Sequence, residues 1–295
     1  MEEEGNSGRN PEASEFVPFT LPTPKLKYEE LPTTFPGTFG DLNLVTPGGI
    51  YVFKASPSEK KWTSYAKVLD REILPVLKHS AAVMILDNTV VLTGGLYPSM
   101  REAVPVAQTK RIFIKTEWGR RSESLDDLPD MLEARYLHSS VFYKGKVMVI
   151  GGQSRVDGYL NTCEALEERS WSSVPALNVP RSCATAIVHN QSIYVVGGYS
   201  AKGEIAVGLE IFIEDGWMLL KQEEKLGVGV GLIFQSDTLL IVGGSDGESP
   251  QFFIREFHYD SGELTTRAQT LKFARARPLC CQGGWVFFGG WPDAE

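Results

Sequence analysis

Residues 146–152 read KVMVIGG, and residues 192–198 read SIYVVGG. The same pattern, an apolar run closed by two glycines, returns as TVVLTGG at 89–95, TLLIVGG at 238–244 and WVFFGG at 285–290. The pairs are Gly94-Gly95, Gly151-Gly152, Gly197-Gly198, Gly243-Gly244 and Gly289-Gly290, and their first members stand 57, 46, 46 and 46 residues apart. Self-similarity at such a period marks a repeat architecture in which each unit is one supersecondary structure.

The register holds outward from the glycines. Six residues before each first glycine stand Asn88, Gly145, Gln191, Asp237 and Gly283, in polar or Gly-rich dipeptides suited to tight hairpins. Before each turn lies another apolar stretch: AAVMIL, SSVFY, ATAIV, VGLIF and the weaker PLCC. Trp171 and Trp217 follow their first glycine by 20 residues, and Trp118 follows its own by 24, each after a strand-like run. Two successive hairpins per unit of about 46 residues fit a four-stranded propeller blade and not a helical repeat. Glycine pairs at the ends of inner strands suit a crowded axis where a Cβ would clash, and a Trp on an outer strand offers an apolar plate between blades.

These features resemble the kelch repeat family, over residues 37 to 295. The resemblance implies an all-β, kelch-type propeller, commonly of six or seven blades. Six are favoured on that ground, although the literal motif count gives five. The family's Arg ahead of the first hairpin is matched by Arg135 and Arg181, with Lys78 and Gly227 at that place in two other units. Tyr259-Asp260 resembles the family's Tyr-Asp turn, without a following Trp. The hairpin spanning Ile50 to Trp62 is expected either to complete the last blade or, with Leu42 to Val45, to belong to a sixth.

Residues 1–36 hold six prolines and no Trp, and their seven acids against three bases account for half of the net charge of −8. They read as a disordered acidic tail ahead of a propeller over 37–295. With no basic cluster, nucleic acid is an unexpected partner. No apolar run reaches the length of a membrane helix and no signal peptide opens the chain, so cytoplasmic or nuclear residence is expected. Cys163, Cys183, Cys280 and Cys281 lack C-x-x-C spacing and read as small buried hydrophobes.

Catalytic signatures such as G-x-S-x-G, H-E-x-x-H and the phosphate-binding loop are absent. His79-Ser80 and His138-Ser139 match a His-Ser pair frequent in the family, and hydrogen bonding outweighs metal ligation as their role. Neither the copper-oxidase nor the iron-site constellation of kelch-like enzymes maps onto the chain, so no cofactor and no catalysis are expected. What remains is a ring of loops on one face, with Tyr97, Arg101, Arg135, Arg155, Asp157, Tyr159, Arg181, Tyr199, Lys202, Asp246 and Glu248 as candidate contacts. Tyr and Arg are frequent binding hot spots. The expectation is a monomeric, non-catalytic scaffold for a protein or peptide partner. Two rivals are a substrate-recognition component of a ubiquitin ligase that works with a separate recruiting partner, and a sugar-directed or metal-dependent enzyme.

Overall fold

The computed structural model describes residues 42–46, 49–56, 61–67, 79–85, 89–98, 103–117, 120–200, 204–268, 271, 279–280 and 287–288. The expected tail over 1–36, with Arg101, Trp118, Lys202, Gly289 and Gly290, lies outside the described residues. All regular structure among them is β. The strands β1 (Leu42–Thr46), β2 (Gly49–Ser56) and β3 (Lys61–Lys67) form a three-stranded sheet. Next come β4 (Ala81–Ile85) and β5 (Thr89–Thr93), the short hairpin β6 (Leu96–Pro98) and β7 (Ala103–Pro105), then β8 (Thr109–Glu117) and β9 (Arg120–Leu128). Blade β4-β5-β8-β9 is followed by β10 (Ser139–Tyr143), β11 (Lys146–Ile150), β12 (Cys163–Glu167) and β13 (Ser170–Val174). The next blade contains β14 (Thr185–His189), β15 (Ser192–Val196), β16 (Val207–Ile213) and β17 (Gly216–Lys225). After it stand β18 (Gly231–Gln235), β19 (Thr238–Val242), β20 (Ile254–His258) and β21 (Glu263–Thr266), then the pair β22 (Leu279–Cys280) and β23 (Phe287–Phe288).

Each complete blade is an antiparallel meander in chain order. Two residues turn the first hairpins at Lys144-Gly145 and Asn190-Gln191, and all four have positive φ, as the tight turn favoured by strand twist requires. The strands ending in Gly-Gly are buried on both faces: TVVLT of β5 entirely, and KVMVI, SIYVV and TLLIV at all but their first residue. Their unbroken apolar runs are thereby explained, since a neighbouring blade covers each face. The cores lie between blades. Val141, Met148 and Ile150 pack with Ile193, Val195, Phe212 and Trp217, and Tyr194, Leu209 and Ile211 pack with Leu232, Leu239, Ile241 and Phe257. On the outer strand SWSSV only Trp171 is buried, and its Nε1 donates to the Pro129 carbonyl of the preceding blade at 2.8 Å. Trp217 does the same to Pro175 at 2.9 Å.

The glycine pairs mark where one blade's backbone meets the next. Gly95 N donates to Arg135 O, Gly152 N to Arg181 O and Gly198 N to Gly227 O, at 2.8, 2.8 and 2.9 Å. A Cβ on Gly197, at φ +68°, would stand 2.0 Å from the Gly227 carbonyl oxygen. As to ring closure, β2 pairs with β1 on one side and β3 on the other, and β22 pairs with β23. The described residues show no pairing between these two sheets.

Candidate functional site

Arg135 and Arg181 do not belong to the exposed loop ring, contrary to the expectation from sequence. Their relative exposures are 0% and 1%. Arg135 donates to the carbonyls of Gly151 and Thr162 at 2.8 and 2.9 Å and to Glu164 at 2.5 Å. Arg181 bonds the carbonyls of Gly197, Gly208 and Val207 and reaches Glu210 at 3.0 Å. Each glutamate also accepts backbone N–H groups of the segment entering its blade, Leu132 and Glu133 for Glu164, Asn178 and Val179 for Glu210. Burial is offset because nearly every charged atom finds a partner, and the pair ties the entering segment to the middle of its own blade.

Just past these arginines the chain reaches the axis. Leu137 N donates to His79 O at 3.0 Å, Cys183 N to Leu137 O at 2.8 Å and Gly229 N to Cys183 O at 3.0 Å. All four acceptor or donor residues, His79, Leu137, Cys183 and Gly229, have φ between 54° and 60°. The result is an arc of main-chain hydrogen bonds linking four successive blades. Leu137 and Cys183 line cavities on either side of it. One, of 220 Å3, holds His79, Ser80, His138 and Thr185; the other, of 530 Å3, opens among the loops that follow Gly-Gly.

Those loops share a construction. The residue after each glycine pair, Gln153, Tyr199 or Ser245, bridges on one side to Tyr136, Ser182 or Val228 and on the other to Tyr159, Ile205 or Pro250. The larger concavity gathers Tyr159, Tyr199, Asp246 and Glu248 from three successive blades. Four of the sequence candidates thus come together. Arg155, Asp157 and Tyr97 are exposed but do not line it. Sequence reasoning missed Leu137, Gln153, Ser182, Cys183, Glu204, Ile205, Lys225 and Gly247, which complete the wall. Gln153 was open to discovery, because it holds the position of Tyr199 relative to the glycines.

Burial raises the pKa of Tyr159, a hydrogen bond from Gln153 opposing it, and pushes Tyr136 behind it up to about 12. Both are neutral phenols and serve as hydrogen-bonding groups. The Asp246 carboxylate is held below its usual range, chiefly by the backbone N–H groups of Ser249 and Glu248. His138 is buried, its Nε2 paired with Thr93 Oγ1 of the preceding blade at 2.8 Å, and desolvation lowers its pKa to about 3. Cys163 is buried with its thiol pushed up to about 12, whereas Cys183 is half-buried at the axis. Among the described residues no three His, Cys, Asp or Glu side chains cluster in a way that could hold a metal. No helix among them is long and apolar enough to cross a membrane.

The family model described as the Kelch motif matches residues 134–178. Kelch repeat protein M-T8 of Myxoma virus is 30% identical over 40% of this chain and 24% of its own length. Spermatocyte protein spe-26 of Caenorhabditis elegans is 31% identical over 55% of this chain and 30% of its own. Kelch-like protein 40 of Xenopus tropicalis is 27% identical over 52% and 24%. The chain thus spans less than a third of the length of these relatives. The solved structure of YjhT shares the fold at a TM-score of 0.57 and 14% identity, over 74% of this chain and 73% of that one.

Proposed function

The chain belongs to the kelch repeat family, and on that premise we propose that it is a non-catalytic interaction module that binds a partner protein or exposed peptide in the concavity between its post-glycine loops. One observation carries the reading: Tyr159, Tyr199, Asp246 and Glu248, from three successive blades, converge on a single space of 530 Å3. The loops are held in place by main-chain bridges on both sides of Gln153, Tyr199 and Ser245. A partner therefore meets a preordered surface and less conformational entropy is lost on association. Two tyrosines offer contact area with directed hydrogen bonds, and the acids at the rim favour a partner that brings donors or a positive charge.

Pull-downs with the wild type and a Tyr159→Ala/Tyr199→Ala double variant test the reading. Loss of specific partners at an unchanged melting temperature supports it. Retention of every partner refutes the concavity as the contact, and stoichiometric copper or iron in the purified protein refutes the non-catalytic assignment.

A further inference from the structure

The blade formed by β18 to β21 departs from the two before it at the buried ion pair. By distance from the glycine pairs, Gly227 stands where the others have Arg135 and Arg181. On the third strand Arg255, opposite Ile241, takes the place that Glu164 holds opposite Val149 and Glu210 opposite Val195. The inner arginine is gone, and its carboxylate partner has become a guanidinium.

A cavity of 160 Å3 marks the exchange. Its wall includes Gly227, Gly243, Phe253 and Arg255. These match the residues around the buried guanidinium of Arg135 two blades earlier, where Gly151 and Thr162 supply carbonyls and Glu164 the charge. The match extends to the backbone, since Gly243 N donates to Phe253 O as Gly151 N does to Thr162 O. Arg255 donates to the Lys225 carbonyl at 3.0 Å, and among the described residues neither Arg255 nor Lys225, which also lines the cavity, is in an ion pair. Asp246, also in the wall, is already engaged by the N–H groups of Glu248 and Ser249 and the amide of Gln251. Beside the cavity Phe252 and Phe253 lie with ring centroids 4.5 Å apart, 42% and 36% exposed.

We propose that this vacated arginine position is a socket for one Asp or Glu side chain of a partner protein, with an adjoining apolar residue laid against Phe252 and Phe253. A cation entering the socket would face Arg255 as a like charge. A carboxylate restores the pair found in the neighbouring blades with the signs exchanged, on a guanidinium that is already partly desolvated. The volume holds a carboxylate together with water for the Gly243 carbonyl. The socket rests on the preceding reading only in taking the occupant to be a protein. Its residues differ from the two tyrosines, so either assignment can fail alone.

Panning random ten-residue peptides displayed on phage against the full chain tests the socket. Enriched peptides are expected to share one fixed Asp or Glu with an apolar neighbour. Synthetic copies should lose about tenfold or more in affinity on Arg255→Gln, the value of a charge-assisted bond, and less on Lys225→Gln at the exposed rim. Replacing the peptide acid by its amide should cost the same factor and add nothing further in the Arg255→Gln background. Tyr159→Ala/Tyr199→Ala should leave these peptides bound. Failure to enrich any peptide, enrichment without a fixed acid, or affinity indifferent to both Arg255→Gln and Lys225→Gln overturns the proposal.

Discussion

Glu210→Ala removes the one carboxylate that faces the buried Arg181 guanidinium among the described residues. Glu210 accepts from Asn178 N at 2.6 Å, Asn178 Nδ2 at 2.9 Å, Val179 N at 3.2 Å and Arg181 Nε at 3.0 Å, and both charged side chains are fully buried. Truncation leaves the Arg181 guanidinium uncompensated in the core, which costs roughly 3–5 kcal/mol for a buried pair broken on one side. For a domain of this size that is a fall in melting temperature of roughly 6–20 °C. The control is the exposed pair Lys146–Glu167, at 2.8 Å but with side chains 41% and 63% accessible, where Glu167→Ala should cost at most about 1 kcal/mol. Replacing both buried partners, as Arg181→Met/Glu210→Leu, should recover much of the loss because no charge is stranded. Urea melts of the four proteins decide the matter. If Glu210→Ala lies within error of Glu167→Ala, the pair does not hold the blade together and the reasoning fails.

His138 has its pKa lowered to about 3 in the fold, so the stability it contributes is full above the unfolded value near 6.5 and is lost as the pH falls from there toward 3. Between about pH 7.5 and 5.5 the wild type should lose about 1.4 kcal/mol more than His138→Asn, and parallel urea-midpoint profiles would sink the assignment. Gly197→Ala, with a Cβ directed at the Gly227 carbonyl and φ at +68°, should cost about 3 kcal/mol or more, whereas Gly216→Ala, in open space and at ordinary φ, should change the unfolding free energy from urea melts by less than about 0.5 kcal/mol. Equal effects at the two glycines would refute the close approach of the blades.

The hairpins, the glycine pairs and the interblade tryptophans were legible because they depend on local chemistry repeated at a fixed interval: a turn, an apolar run, a residue without Cβ. The buried arginines were misread for the opposite reason. Arginine reads as a surface residue unless its counter-charge is seen, and that charge lies far along the chain. The clue was nonetheless present, since Glu164 and Glu210 each follow their arginine by the same 29 residues. The His-Ser match was similarly deceptive. Three residues separate β4 from β5 where two separate β10 from β11, so His79 occupies the left-handed position of Leu137, and Ser80 that of His138. Of the loop candidates, Tyr159 and Tyr199 at bridging positions converged with Asp246 and Glu248 from the loop between two such positions, while Arg155 and Asp157 at a loop tip did not; sequence alone gives no direction to a side chain at a turn.

The arc from His79 through Leu137 and Cys183 to Gly229 separates two kinds of specification that most binding sites entangle. Its bonds join main chain to main chain, and it asks of each residue only that a left-handed conformation be tolerable. The side chains it projects toward the axis, an isobutyl group in one blade and a thiol in the next, take no part in those hydrogen bonds. The surface offered at the throat of the concavity can therefore be rewritten, one blade at a time, while the frame that positions it stays the same.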